Sequence, residues 1–148
     1  MRCIVQRVAH GSVVVDGAAV GAIERGLLVL AGIARGDDAA VMERMAHKLC
    51  KLRIFGDAEG KMNLSVADIG GGVLCVPNFT VCGDTARGHR PSFEPAERPE
   101  AASGLFDQLC EAIAAQGVMC ARGVFGAVMK VSLLNDGPVT VVIEVGAG

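Results

Sequence analysis

Short apolar runs bounded by turn residues dominate the hydrophobic pattern of this chain, and they predict a sheet. Residues 1–8 alternate loosely, and residues 12–15 and 18–23 flank Asp16-Gly17, a favoured two-residue hairpin turn. Residues 26–33 are apolar without a break, so we expect a central strand covered on both faces. The pattern predicts further strands at residues 52–55, 73–76, 118–122, 128–134 and 141–145, with a polar connection over residues 56–63.

Two segments show the spacing of amphipathic helices instead. The first begins at Asp37 or Asp38 as N-cap and runs to about Lys51, and the second spans residues 99–116 and ends at Gly117. At 148 residues the chain fits one domain, residues 1–148, without an internal repeat. The sequence therefore predicts an α+β fold with a barrel-like, mainly antiparallel sheet and about two helices, because closure removes exposed sheet edges.

Composition narrows the possible partners. The net charge is −2 and the chain has five Phe with no Trp or Tyr, which disfavours binding along DNA or along extended single strands. A nucleic-acid partner is therefore expected to be held at an end, through few phosphates. The apolar runs are too short to span a membrane. Six cysteines without a C-x-x-C pair match no zinc template, so we expect no metal and, without a signal peptide, a cytoplasmic location.

A Gly-Pro step between two strands is the most unusual local feature. It lies in Asn135-Asp136-Gly137-Pro138-Val139-Thr140. Pro cannot donate to a sheet ladder, so the step breaks strand pairing and leaves backbone groups free, while Gly permits close approach of another chain or ligand. X-Pro bonds are also those that readily adopt the cis form. Taken alone, the segment is also compatible with an ordinary hairpin turn.

A second unusual segment, Pro77-Asn78-Phe79-Thr80-Val81, follows a buried strand directly. A Pro that ends a strand frees the N–H groups after it, so the Phe79 and Thr80 amides are predicted to form an oxyanion-binding pair. The alternative is an exposed strand end without chemistry.

A basic loop is the third candidate segment for binding or catalysis. Arg87 and His89 lie in a loop over residues 84–93, where they could contact phosphate or could simply be solvated. The sequence has no G-x-S-x-G elbow and no phosphate-binding loop with correct spacing. A Cys82–His89 nucleophile pair is a further hypothesis, although Cys82 is more simply a buried thiol.

Together these segments resemble the D-aminoacyl-tRNA deacylase family, also called D-tyrosyl-tRNA deacylases. The similarity runs nearly from end to end and is carried by MRCIVQRV at residues 1–8, GLLVL at 26–30, LRIF at 52–55, GKMN at 60–63, RPSF at 90–93 and NDGPVT at 135–140. The resemblance implies a homodimer that binds the acceptor end of aminoacyl-tRNA and hydrolyses the ester of a D-amino acid, or of misplaced glycine, without a cofactor. Two active sites would lie at the subunit interface.

The resemblance also implies roles for particular residues. Gly137 and Pro138 match a Gly-Pro motif whose cis peptide enters the partner subunit's pocket and excludes L-amino acids. Phe79 and Thr80 match a catalytic motif usually written Ser-Gln-Phe-Thr-Leu, from which Pro77, Asn78 and Val81 depart. Pro77 and Asn78 are assigned, with Gly137 and Pro138, to substrate binding and chiral selection. Attack by water, assisted by the ribose 2′-hydroxyl, fits the lack of a protein base.

Three other residues are predicted to line the adenosine region or support the site. Phe125 and Met129 are assigned to the adenosine pocket, with a role in the core as the alternative for both. Arg7, with Arg87 and His89, is a candidate for supporting the Gly-Pro step or for meeting the phosphates of the acceptor end. Two alternatives for the function remain open: an editing deacylase with relaxed chirality that acts on L-alanine mischarged to tRNA, and a non-catalytic module that binds tRNA ends.

Overall fold

The computed structural model describes residues 1–146, and the last two residues of the predicted domain, 147–148, lie outside the described residues. Eight strands, two α-helices and one 3-10 turn follow one another along the chain. Their bounds are β1 Arg2–Val15, β2 Ala18–Ile23, β3 Gly26–Gly32, α1 Ala39–Lys51, β4 Phe55–Gly56, β5 Met62–Leu64, β6 Gly72–Pro77, the 3-10 turn Phe79–Cys82, α2 Pro99–Ala114, β7 Met119–Arg122 and β8 Lys130–Glu144.

The long strand β1 organises the main sheet. Its first half pairs antiparallel with β3 and its second half with β2, while β8 runs antiparallel along its other edge. β3 continues into parallel pairs with β6 and then β7. β2 returns close to β7, since a Cβ on Gly21 would lie 2.7 Å from the Arg122 carbonyl oxygen. The predicted α+β fold with a barrel-like sheet and two helices is therefore confirmed.

The structure differs from the sequence prediction where strands join. Residues 1–8 and 12–15 form one strand, because Gly11 brings β1 close to its neighbours: a Cβ there would lie 3.3 Å from Leu28 Cδ1. The runs on both sides of the Gly-Pro step likewise form one strand, β8. Of the strand predicted at residues 52–55, only Phe55 is in a strand, as the first residue of β4. The predicted polar connection over residues 56–63 includes the first two residues of β5. The two parallel pairs also lay outside the prediction.

The core is aliphatic and lies on both faces of the sheet. Leu27 and Val29 of β3 face a large cluster that includes α1 and α2, whereas Leu28 faces a smaller cluster inside the curved sheet. β3 is thus covered on both faces, as its unbroken apolar run predicted. Asp38 caps α1 by accepting a hydrogen bond from the Val41 N–H at 3.0 Å. Within residues 1–146, neither helix is long and apolar enough to cross a membrane.

Candidate active site

The candidate site begins where β6 ends. Pro77 is the last residue of β6, and the Asn78 N–H donates to the Ala31 carbonyl oxygen at 2.9 Å, which completes the pairing with β3. The chain then turns into the 3-10 turn, whose N-cap is Asn78. Among the hydrogen bonds of the described residues, none is donated by the Phe79 N–H. The strand end therefore presents one backbone donor for a ligand.

The second predicted donor is already engaged. The Asn78 carboxamide oxygen accepts a hydrogen bond from the Thr80 N–H at 3.2 Å and another, shorter one from the Thr80 hydroxyl. The expected pair of free amides is thus reduced to one amide, because Asn78 uses its side chain as a local cap. Since the Thr80 hydroxyl donates to Asn78, its lone pairs remain able to accept a hydrogen bond.

An apolar cavity of about 390 Å³ opens beside this turn. The ring of Phe79 is 57% exposed and packs edge-to-face on Phe93, with ring centroids 5.2 Å apart. Phe125 also lines the cavity, and its ring packs against the buried ring of Phe106, with the two ring centroids 6.4 Å apart. The remaining lining comes from the ends of β3 and β6 with the residue after each, from the start of α2 with the segment before it, and from the loop after β7. These residues are Ala31, Ile33, Pro77, Asn78, Ala96, Glu97, Arg98, Pro99, Ala102 and Gly126. An aromatic-lined recess of this size fits a planar ring system.

The Gly-Pro step lies elsewhere on the protomer and does not line this cavity. Gln6 pairs with Thr140 and Val8 with Asn135, so residues 136–139 bulge out opposite the single residue Arg7. The Gly137-Pro138 peptide bond is cis, and both residues are exposed.

Two side chains hold this bulge in place. Arg7 donates from Nε to the Asp136 carbonyl oxygen at 2.8 Å and from Nη1 to the Ile54 carbonyl oxygen at 2.7 Å. Asn135 accepts from the Val139 N–H at 2.8 Å and donates to the Val139 carbonyl oxygen at 3.2 Å. Charged and bidentate contacts of this kind fix a loop more firmly than single neutral ones.

Other residues selected from the sequence lie apart from the cavity. Met129 is absent from its lining and packs against the smaller core cluster, with its sulfur close to Gly123. Arg87 and His89 are exposed in their loop. Burial raises the pKa of the Cys82 thiol, so it stays protonated at neutral pH. A protonated, buried thiol is a poor nucleophile, which argues against the Cys82–His89 hypothesis.

Sequence reasoning assigned no role to several residues that shape the site. Phe93, Glu97 and Arg98 reach the cavity from a distant segment, so only tertiary structure places them there. The clamp made by Asn135 had a signal, because Asn commonly hydrogen-bonds nearby backbone at turns and it stands directly before Asp-Gly-Pro.

These features define a mixed-sheet domain with an apolar recess beside a strand-end amide. The chain belongs to the D-Tyr-tRNA(Tyr) deacylase family, whose model matches residues 4–144. Proteins named D-aminoacyl-tRNA deacylase match it nearly from end to end. The one from Pelobacter propionicus is 50% identical over 144 residues, with 97% of this chain and 99% of the relative covered. The one from Magnetococcus marinus is 52% identical over 145 residues, with 97% of this chain and 96% of the relative covered. The resemblance noted from sequence is confirmed.

Solved structures agree on the fold. A c-Myc DNA Unwinding Element Binding Protein superposes with a TM-score of 0.93 at 38% identity, with 99% of this chain and 100% of that chain covered. A probable eukaryotic D-amino acid tRNA deacylase superposes with a TM-score of 0.81, with 97% of this chain and 98% of that chain covered. Because the identity is 18%, this similarity supports the fold alone.

Proposed function

We propose that this protein is a hydrolase that cleaves the ester bond of D-aminoacyl-tRNA, releasing the free amino acid and tRNA. Proteins named for this activity match nearly the full length of the chain at 50–52% identity, which supports the reaction. The structural observation that carries the proposal is the Phe79 N–H, a donor that lies at the rim of an aromatic cavity and has no acceptor among residues 1–146. We assign the deacylase unit to residues 1–148.

The Phe79 amide is proposed to bind the ester carbonyl oxygen, where negative charge develops as water attacks. One such donor contributes about 2.7–4 kcal/mol to stabilising the transition state. Thr80 would accept a hydrogen bond from the attacking water, since its own hydroxyl proton is held by Asn78. The ester carbon–oxygen bond then breaks, and the ribose hydroxyl leaves with a proton. The substrate 2′-hydroxyl is proposed to assist, because no protein base lies at the turn.

The aromatic cavity is proposed to hold the terminal adenosine. Phe79, Phe93 and Phe125 supply ring faces and edges for an adenine base. Base stacking on such side chains is typically worth about 1–3 kcal/mol per base. Met129 supports this wall from behind, since it packs near Gly123 and Pro77.

Chiral selection is proposed to come from Gly137 and Pro138 of a second copy of the chain. On one protomer these two residues are exposed and clamped by Arg7 and Asn135, away from the cavity, so the motif is free to enter a neighbour's site. Exposed apolar residues on β8, such as Leu134 and Val142, would be covered in this homodimer. A rigid backbone segment excludes an L side chain whatever its chemistry.

The acceptor end of tRNA is the proposed nucleic-acid partner, and no DNA or membrane partner is proposed. The DNA named for one structural relative is not transferred here, because a net charge of −2 gives little attraction to a duplex. We place the protein in the cytoplasm, where its six free thiols would remain reduced.

A deacylation assay with paired enantiomers tests the function. The protein is incubated with D-Tyr-tRNA, L-Tyr-tRNA and Gly-tRNA, and the remaining aminoacyl-tRNA is followed over time. We expect release of D-Tyr and glycine, with L-Tyr-tRNA left intact. Binding of tRNA without release of any amino acid would identify a non-catalytic module and reject the proposal.

The same assay addresses relaxed chirality. Pro77 and Asn78 depart from the usual motif, and Asn78 directly sets the hydrogen bonding of Thr80. We therefore include L-Ala on a non-cognate tRNA. Its release as fast as D-Tyr would replace the D-specific assignment by the L-alanine editing alternative.

A further inference from the structure

Three cysteines that are distant in sequence meet in the fold, outside the active-site cavity. Cys75 lies on β6, Cys110 on α2 and Cys120 on β7, and their sulfur atoms all lie within 4.8 Å of one another. None of the three lines the cavity proposed to hold adenosine. The deacylase reaction uses no thiol, so the cluster has no role in the function proposed above.

The geometry of the cluster is close to that of a metal site. Metal–sulfur bonds of about 2.3 Å place three ligands of one ion about 4 Å apart in a trigonal plane. Sulfur atoms within 4.8 Å of one another therefore need to move by less than about 1 Å, which side-chain rotation of Cys120 can supply. Cys75 and Cys110 are buried and Cys120 is half-buried, so solvent and ions can reach the cluster from the Cys120 side.

The ligand set selects the class of ion. Within residues 1–146, the cluster contains only thiols, with no imidazole or carboxylate. Thiolates favour soft ions, and structural zinc sites almost always use four protein ligands. The neighbouring positions on the helix-facing side of the sheet and on α2 are apolar, including Val73, Leu109 and Ile113. A shell of this kind excludes water and so disfavours a water ligand.

We propose that Cys75, Cys110 and Cys120 form a trigonal binding site for Cu(I). Each thiol that coordinates the ion loses its proton to the buffer, and the copper remains in the same oxidation state throughout. Arg122 lies two residues beyond Cys120, on the same face of β7, and its guanidinium pairs with Asp107 of α2 at 3.0 Å. The site joins α2 to β6 and β7, which are themselves hydrogen-bonded neighbours in the sheet.

Anaerobic titration of the reduced full-length protein with tetrakis(acetonitrile)copper(I), in competition with a chromophoric Cu(I) chelator, tests the site. We expect one tightly bound copper per chain and a near-ultraviolet thiolate-to-copper charge-transfer band. Cys120→Ser should weaken binding by more than about 100-fold, because loss of even an outer-shell contact costs about 10–100-fold. Cys82→Ala is the matched control, since it removes another largely buried thiol outside the cluster.

X-ray absorption on the wild-type complex keeps the test independent of variant folding. Three sulfur neighbours and no oxygen or nitrogen neighbour support the site. The proposal is wrong if the protein binds less than one copper per chain, or if Cys120→Ser binds Cu(I) as tightly as the wild type. It is also wrong if copper binds to thiols outside the cluster. In a final experiment, zinc sulfate is added to the Cu(I)-loaded protein. Displacement of Cu(I) by equimolar Zn(II) would also reject the proposal.

Discussion

Arg7 anchors the exposed Gly-Pro bulge through Asp136, whose carbonyl oxygen accepts a hydrogen bond from Arg7 Nε at 2.8 Å. The same guanidinium reaches the Ile54 carbonyl oxygen at 2.7 Å, so it ties β8 to the segment before β4. One arginine thus links three parts of the chain at the point where β8 departs from its ladder with β1. The position of the bulge depends on a charged side chain as well as on backbone pairing.

Arg7→Ala should therefore loosen the bulge and impair chiral selection. We expect the D-Tyr to L-Tyr deacylation ratio to fall about tenfold, and the free energy of unfolding to fall by about 1.5–3 kcal/mol, the usual range for hydrogen bonds of charged groups. Paired-enantiomer kinetics and urea unfolding measure the two effects. Arg2→Ala is the control, because Arg2 also links β1 to β8 but through an exposed ion pair with Glu144, typically worth at most about 1 kcal/mol. Equal ratios for both variants would contradict the assigned role.

Gly137→Ala should distort the bulge directly. Gly137 has φ of 151°, and an added Cβ would lie 2.8 Å from the Val139 N and 3.2 Å from Arg7 Nη2. We expect a loss of about 1–3 kcal/mol in unfolding free energy, together with reduced D-selectivity. Gly104→Ala is the contrasting variant, since its Cβ meets nothing within 4 Å on α2. It should gain about 0.5–1 kcal/mol from helix propensity and leave the selectivity ratio unchanged.

Thr80→Val should slow hydrolysis, because it removes the hydroxyl proposed to orient water and the bond to Asn78. We expect kcat to fall by about tenfold or more, corresponding to at least about 1.4 kcal/mol of transition-state stabilisation. Thr80→Ser retains the hydroxyl and should retain most of the activity. Single-turnover deacylation of D-Tyr-tRNA separates the chemical step from product release. Full activity in the valine variant would exclude the hydroxyl from the mechanism.

Leu134→Glu should weaken the proposed dimer by placing a charge on the outer surface of β8. The Leu134 side chain is 54% exposed on the protomer, and a charge buried in an interface without a partner is costly. Sedimentation velocity should show a shift from dimer towards monomer. Met119→Glu is a closely matched control, because Met119 is also 54% exposed but lies on β7 at a different part of the sheet. A wild-type protein that sediments as a monomer would contradict the interface assignment itself.

Buried thiols should make the fold less stable in alkaline solution. Burial raises the pKa of Cys3 to about 12 and that of Cys50 to about 11, from an ordinary value of 9.0. Below pH 9 both thiols are protonated in the folded and unfolded states, and above it only the unfolded state releases the protons. The free energy of unfolding should thus fall between pH 9 and 11, by at most about 1.4 kcal/mol per pH unit for each thiol. Urea unfolding should show a shallower decline for Cys3→Ala than for wild type, and identical slopes would contradict the prediction.

The sequence alone was sufficient for features that depend on local pattern. The unbroken apolar run of β3 and the amphipathic spacing of α1 are encoded in neighbouring residues, so periodicity located them, and capping rules narrowed the N-cap to Asp37 or Asp38, of which the structure uses Asp38. Family motifs such as Asn135-Asp136-Gly137-Pro138 are also contiguous, so the sequence by itself indicates the family.

Tertiary structure decided how distant segments meet. Pairing order in a sheet is set by long-range packing, so the pattern could not show that β3, β6 and β7 run parallel or that Gly11 lies within one continuous strand. The structure also shows that the Asn78 side chain accepts the hydrogen bond of the Thr80 N–H, so the Phe79 N–H is the amide left for a ligand at the turn. The strand order leaves no trace in local composition, whereas the capture by Asn78 acts over two residues and has a local signal in the asparagine itself. The approach of Cys75 to Cys110 and Cys120 is of the same kind as the strand order, because residues 35 and more positions apart are brought together by the pairing of β6 with β7 and by the packing of α2 on the sheet.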